Sequence, residues 1–405
     1  MNLLDPSLYT GVRRPLIEAE GLPPACYYDE AFYRREVDTV FAGSWVMVGR
    51  TERIPNKGDY FTTEFAGMRL IVVRDHDEIR AHGNSCRHRG SRLLEGEGNC
   101  RAIICPYHAW SYSLDGSLRA APGMDQSVGF KTDEYSLVAL RVSVWGGFIF
   151  VCRDANAPSL LDYIGDLADV LAPYRFGDMR SGRRVEFDVA CNWKAWVENF
   201  MEGYHIPTVH RRTISKFKAV NVPQQRGRGQ YDLIWERHPG TLALLGDDAG
   251  FPPIESLTGD TVEGSRFALI YPNSMIAMTI DAMWSFECHP MGPERSRVVL
   301  TSCFPNTRFE RPDFASISAN YYKRQDIVIE EDNAISVVQQ QGLRSTLARP
   351  GRFSYKEPIV HSLDNWVLDR VIGPAPSPVS SPVSSPVSIP VSIPVSVAQL
   401  PVMRS

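Results

Sequence analysis

No apolar stretch in this 405-residue chain is long enough to cross a bilayer. The longest, such as Val144–Cys152, fall far short of the roughly 20 residues a spanning helix needs. Basic blocks are missing too: the formal net charge is −4, and no lysine–arginine run marks a nucleic-acid surface. Residues 1–20 carry neither an apolar core nor a small-residue cleavage pattern, so a secretory leader is not expected. Without export, the eight cysteines read as reduced and mostly buried, not as a disulfide framework. No glycine-rich dinucleotide fingerprint is visible, so the chain is not expected to hold a nicotinamide cofactor itself. A cytoplasmic protein with no membrane and no nucleic-acid partner is the expectation that these gaps leave.

The chain has the size for two domains with a full core each, and its 43% hydrophobic and 22% charged content is that of an ordinary globular protein. Residues 1–43 read as a lead-in packed on the larger domain, with apolar residues at helical spacing over Asp29–Phe41. Over 44–155 the character changes to short β-branched and aromatic runs, such as Trp45–Val48, Leu70–Val73 and Phe148–Val151. Turn formers such as Pro55–Asp59 separate them, which predicts a small antiparallel β-domain. Residues 156–373 mix helical segments (Ser159–Ala172, Asn192 to about Tyr204, and Phe314–Gln341 stopping at Gly342) with strand candidates between Arg184 and Cys303. The predicted class is α+β: the small β-domain is inserted in a larger domain whose antiparallel sheet is flanked by helices. Residues 374–405 are low-complexity, with SPVS and IPVS repeats whose regular prolines forbid helix.

One motif in the β-domain carries redox chemistry. Cys86 and His88 are followed, after sixteen intervening residues, by Cys105 and His108, giving one thiolate and one imidazole in each half. Two cysteines with two histidines are what a Rieske [2Fe–2S] cluster requires, Cys₂ on one iron and His₂ on the other. A Cys₂His₂ zinc site accepts the same donors, but it usually groups like ligands on one turn. Cys100 lies close by in sequence, yet it has no histidine at motif spacing.

A second constellation lies at His205 and His210. Five residues apart, they do not share one face of a straight helix, but Pro207 ends the helix and lets His210 fold back. Two histidines and one carboxylate suit a non-haem Fe(II) with positions open for O₂ and substrate. The carboxylate is sought among Glu330, Glu331 and Asp332, with Asp332 the first choice and Glu331 the second. Phe200, Met201, Met275, Met278, Trp284 and Phe286 are candidate pocket walls, and equally core residues.

Three motifs now stand in order: C-R-H-R-G with C-P-Y-H-x-W, N-W-K…E-N-F-x-E-x-Y-H-x-x-x-x-H, and E-D-N…Q-x-G-L-R-S. Over about residues 40–345 the chain resembles the catalytic α-subunits of the Rieske non-haem iron oxygenases. That family includes ring-hydroxylating oxygenases and choline or carnitine monooxygenases. The resemblance implies that Cys86, His88, Cys105 and His108 hold the cluster, and that His205, His210 and Asp332 hold a mononuclear iron. It also implies that Glu202 bridges the two sites by hydrogen bonds to His205 and to His108. In the family that bridge spans neighbouring subunits, so a head-to-tail homotrimer is implied. Electrons would come from NAD(P)H through a separate flavin and iron–sulfur reductase, and O₂ would be spent on a small organic substrate. An aromatic ring or acid is the first expectation for that substrate, and a quaternary ammonium compound the alternative. An electron carrier with no oxygenase activity stands as the remote one. The short spacing around Glu202 already argues against naphthalene-type dihydroxylation.

Overall fold

The computed structural model describes residues 2–214, 220–222 and 227–374, so the proline-rich repeats lie outside the described residues. After short 3₁₀ turns and helix α1 (Glu30–Glu36), the first sheet is built from five early strands and two late ones. These are β1 (Val46–Arg50), β2 (Asp59–Phe65), β3 (Met68–Asp75), β4 (Glu78–Gly83) and β5 (Glu97–Asn99), then β9 (Ala139–Trp145) and β10 (Phe148–Cys152). Their order is β1-β10-β9-β4-β3-β2-β5, all antiparallel. Between β5 and β9 a small sheet of β6 (Ile103–Ile104), β7 (Ser111–Tyr112) and β8 (Leu118–Ala120) carries part of the cluster motif.

The apolar run Leu70–Val73 shows why this sheet is buried on both faces. Leu70 and Val72 point into the main core, while Ile71 and Val73 point into a separate core with Cys86, Cys105, Trp110 and Tyr112. One strand therefore joins the motif loops to the rest of the molecule. Two bonds fix the junction: the Met47 N–H of β1 donates to Ser274 Oγ at 3.1 Å, and the Ala66 N–H, in the turn between β2 and β3, donates to the Pro290 carbonyl at 2.7 Å.

Helices α2 (Leu160–Ile164) and α3 (Leu167–Val170) replace the single helix expected over Ser159–Ala172. Gly165 breaks it at φ +56°, in a place where a β-carbon would lie 1.8 Å from the Arg228 carbonyl oxygen. The large sheet follows, from β11 (Met179–Val189), β12 (Val220–Val222), β13 (Tyr231–Arg237), β14 (Ser265–Ile270), β15 (Ser274–Met278), β16 (Met283–Gly292) and β17 (Arg295–Pro305). Its order is β11-β17-β16-β15-β14-β13-β12, again antiparallel. Helices α4 (Trp193–Phe200), α6 (Phe314–Leu343) and α7 (Pro358–Val371) belong with it, and the one-turn α5 (Ile206–Val209) follows α4. Trp196 of α4 meets Phe286 of β16 at 5.2 Å between ring centres, and Ser302 Oγ of β17 donates to Gln325 of α6. Helix α6 runs one residue past Gly342, and Arg344 ends it with its N–H on the Gln340 carbonyl.

Candidate metal and cluster centres

The two cluster-motif loops repeat one backbone design. Cys86 N–H donates to Ser91 O and Cys105 N–H to Trp110 O, both at 2.8 Å. Gly90 N–H returns to Cys86 O, and Ala109 N–H returns to Cys105 O. The residue four past each cysteine is left-handed, Gly90 at φ +73° and Ala109 at φ +59°. Each loop thus folds back over its own cysteine, and the two loops bring the His88 and His108 rings within 4.8 Å, edge to face.

The donor chemistry suits a cluster. Burial pushes the Cys105 thiol up, but the N–H groups of Tyr107 and His108 donate to it and hold it below the ordinary thiol range. Tyr112 O–H lies 3.3 Å from Cys86 Sγ while accepting from the Arg87 N–H. Burial, His88 and Arg89 hold the His108 ring low and therefore neutral, the form that ligates. Its Nδ1 is enclosed with no hydrogen-bond partner. Tyr107, 56% exposed, stacks on His108 at the outer tip of the loops.

At the second centre the local fold differs from the expected one. Helix α4 ends at Phe200 instead of running to about Tyr204, and Glu202 caps the turn that follows. Its carboxylate accepts from the N–H groups of Tyr204 and His205. Pro207 does not stop a helix; it sits in the first turn of α5, where its missing N–H leaves nothing unsatisfied. His205 and His210 flank that single turn as its N-cap and C-cap, and their rings converge from its two ends.

His205 Nε2, His210 Nε2 and an Asp332 carboxylate oxygen face one another: 3.2 Å between the two nitrogens, and 3.5 and 3.0 Å to the oxygen. These donors could share one metal ion. Behind each ring stands another carboxylate. Glu202 Oε1 is 2.5 Å from His205 Nδ1, and Glu331 Oε2 is 2.8 Å from His210 Nδ1. Glu331, the second choice for a ligand, therefore faces the far side of the His210 ring, where it also accepts from Thr213. Asn199 Nδ2 donates to Asp332 at 2.9 Å. Burial alone would lower His205 and raise Asp332. Bonds from Asp332 and Glu202 lift His205 to about 9, and bonds from both histidines drop Asp332 to about 2. Such charge pairing is what a cation at the shared point would replace.

The sequence reading missed Asn199, Thr213 and the position of Glu331, because only the approach of α6 brings Asp332 to Asn199 and Glu331 to His210 and Thr213. Of the candidate pocket walls, Met201, Met275, Trp284 and Phe286 pack in the main core beside Phe200. Met278 lies on the other face of the sheet, in a different core with Ile276 and Met283, which corrects its placement as a wall. A cavity of about 410 Å³ opens beside Glu202 and His205, with Tyr27, Glu198, Phe353 and Glu357 in its walls.

A two-histidine, one-carboxylate cluster in an α+β domain, joined to a β-domain with paired Cys/His loops, defines an iron oxygenase architecture. Residues 44–142 match the Rieske [2Fe-2S] domain, and residues 176–373 match the ring hydroxylating alpha subunit (catalytic domain). The chain belongs to the Rieske non-haem iron oxygenases as a catalytic α-subunit, an enzyme of the type that takes a [2Fe–2S] cluster and a mononuclear iron. It is 29% identical over 394 residues to the glycine betaine monooxygenase oxygenase subunit of Chromohalobacter salexigens, covering 88% of each chain.

Two solved structures have the same fold. A quaternary ammonium Rieske monooxygenase in complex with L-carnitine matches with a TM-score of 0.71 and 24% identity, over 89% of this chain and 97% of that one. Naphthalene 1,2-dioxygenase from Rhodococcus sp. matches with a TM-score of 0.74 and 20% identity, over 92% and 100%. Proteins named for such different compounds fit equally well, so the fold does not choose the substrate. Among the described residues, no helix is long and apolar enough to cross a membrane.

Proposed function

We propose that this chain is the terminal oxygenase for a small quaternary ammonium compound, oxidised at an N-methyl group or neighbouring carbon. This replaces the aromatic ring or acid first expected. The observation that carries the reading is the sequence likeness, over 88% of each chain, to a glycine betaine monooxygenase oxygenase subunit. One oxygen atom enters a C–H bond and the other leaves as water, using two electrons and two protons. When bound, the cluster supplies electrons singly, and the iron supplies the positions where O₂ and substrate meet.

On this reading Cys86, His88, Cys105 and His108 hold the cluster, and His205, His210 and Asp332 hold the iron. Glu202 and Glu331 fix the two imidazoles through their Nδ1 atoms, which orients Nε2 toward the metal. Asn199 steadies the Asp332 carboxylate. His108 sits at an exposed tip and Glu202 beside an open cavity, which supports a head-to-tail homotrimer in which a neighbouring subunit's cluster tip meets Glu202. A separate cytoplasmic flavin and iron–sulfur reductase would deliver electrons from NAD(P)H.

The test is O₂ uptake coupled to product formation, with a surrogate reductase, across trimethylammonium compounds and aromatic acids. Formaldehyde or aldehyde from the ammonium compounds is expected. Ring-hydroxylated acids, with no product from any ammonium compound, would overturn the reading.

A further inference from the structure

Arg324 is a buried cation that the protein leaves without an acceptor. It lies in α6 about two helical turns before Asp332 and is 7% exposed. Its Nε is enclosed with no hydrogen-bond partner, and no ion pair or hydrogen bond reaches the guanidinium among the described residues. Each of the other buried lysine and arginine side chains among those residues has at least two acceptors, although Arg308 Nε, like Arg324 Nε, has none. Lys194 has Glu36, Asn192 and the Cys26 carbonyl, and Arg50 has Glu52 and the carbonyls of Gly146, Phe176 and Met179. Arg266 has Tyr174 and the Asp260 carbonyl, and Arg308 has the carbonyls of Pro252 and Pro253. Burial lowers Arg324 to about 10 even though Asp332 and Glu331 act on it through space.

Its place in the fold points to the reacting region. The guanidinium carbon is 5.2 Å from the centre of the Trp284 ring. Trp284 belongs to one cross-strand row with Phe267, Ala277 and Ser302. That row lies on the sheet face that packs with α4 and α6, as the Phe200–Phe267 ring contact and the Ser302–Gln325 bond show. These helices carry Asn199 and Asp332. An unpaired buried charge is among the costliest arrangements in a folded protein, and it persists where something outside the chain completes it.

We propose that Arg324 binds the carboxylate of the substrate, which makes that substrate a zwitterion with a trimethylammonium group and a carboxylate in one small molecule. A planar guanidinium takes a carboxylate through two parallel N–H···O bonds, a geometry that an alcohol cannot offer. The proposal rests on the quaternary ammonium reading above and narrows it: amino alcohols of the choline type are discriminated against.

Isothermal titration of the holoenzyme with three probes tests this. Glycine betaine carries both groups, 3,3-dimethylbutyrate only the carboxylate, and choline only the cation. Glycine betaine is expected to bind more tightly than choline. Arg324→Met should weaken glycine betaine and 3,3-dimethylbutyrate by about 100-fold or more, with choline unchanged. Its melting temperature should not fall, because the variant removes an uncompensated charge. Arg324→Lys should recover part of the loss. An equal loss for all three probes, or wild-type binding of choline as tight as of glycine betaine, would overturn the carboxylate role. If 3,3-dimethylbutyrate binds through Arg324 and neither ammonium compound binds, the anchor stands and the quaternary ammonium reading falls. If both ammonium compounds bind and Arg324→Met changes neither, the anchor falls and that reading stands.

Discussion

The cluster loops draw their four donors from one short stretch between Cys86 and His108, whereas the second centre must reach across the chain. There, 121 residues separate His210 from Glu331, and 133 separate Asn199 from Asp332. The loops close on themselves by local backbone bonds and leave their tip open. The His205–His210–Asp332 centre is closed by helix packing and lined with paired charges. A local site needs only its own turn geometry, while an assembled one depends on every contact that holds α4, α5 and α6 in place.

The largest effects should separate the two regions cleanly. On the proposed ligands, the wild-type protein carries about three irons per chain. Asp332→Ala should keep about two, with the visible cluster absorption intact and turnover at background. Cys105→Ser should bleach the absorption while the second iron stays. Iron analysis beside the visible spectrum reads both, and loss of the cluster in Asp332→Ala would break the separation.

Groups that stand behind the donors should act more mildly. Glu331→Gln should weaken iron binding at the second centre by about 10- to 100-fold, measured by chelator competition. In the loops, Tyr112→Phe should leave the cluster assembled but lower its reduction potential, since the hydroxyl beside Cys86 stabilises the more negative reduced state. Protein-film voltammetry would show it.

The assembled region should also be the pH-sensitive one. Burial raises Glu198 from 4.5 to about 7, against the bond from Tyr27 and the charge of Lys194. Between those values the folded protein keeps a proton that the unfolded chain releases, so stability falls as pH rises through that window and levels off above it. Glu198→Gln should flatten the fall, as read in thermal melts from pH 5 to pH 8. A wild-type melting temperature unchanged across that range would contradict it.

The smallest effect belongs to the loops. Ala109 and Gly90 hold equivalent left-handed positions, which alanine occupies at a cost. Ala109→Gly should stabilise the protein by about 1 kcal/mol, and Gly90→Ala should cost a similar amount. Denaturant unfolding of the two variants would show whether the loops are as alike energetically as they are geometrically.

Much of this was legible in the residues. The short β-branched run Leu70–Val73, its like along residues 44–155 and the turn formers between them announced an antiparallel β-domain, and the mixed Cys/His pairs announced its cofactor. The boundaries were less legible. Ser159–Ala172 has helical spacing, but a carbonyl close to Gly165 divides it. The segment after Phe200 also reads as helix, yet the Glu202 carboxylate competes for the backbone N–H groups and opens a turn. Met278 looked like a pocket wall because sequence shows that a strand alternates but not which face meets which core.

By itself, then, the sequence determined the donor types, the spacing of the cluster loops and the pairing of His205 with His210, because these depend on local chain geometry. Which acid faces the shared point and which stands behind a ring was decided by the docking of α6. Two neighbours on a helix point about 100° apart, so only the seating of that helix gives Asp332 one role and Glu331 another. Tertiary structure likewise left Arg324 unpaired, since a buried charge acquires or lacks a partner only once the whole core has closed around it.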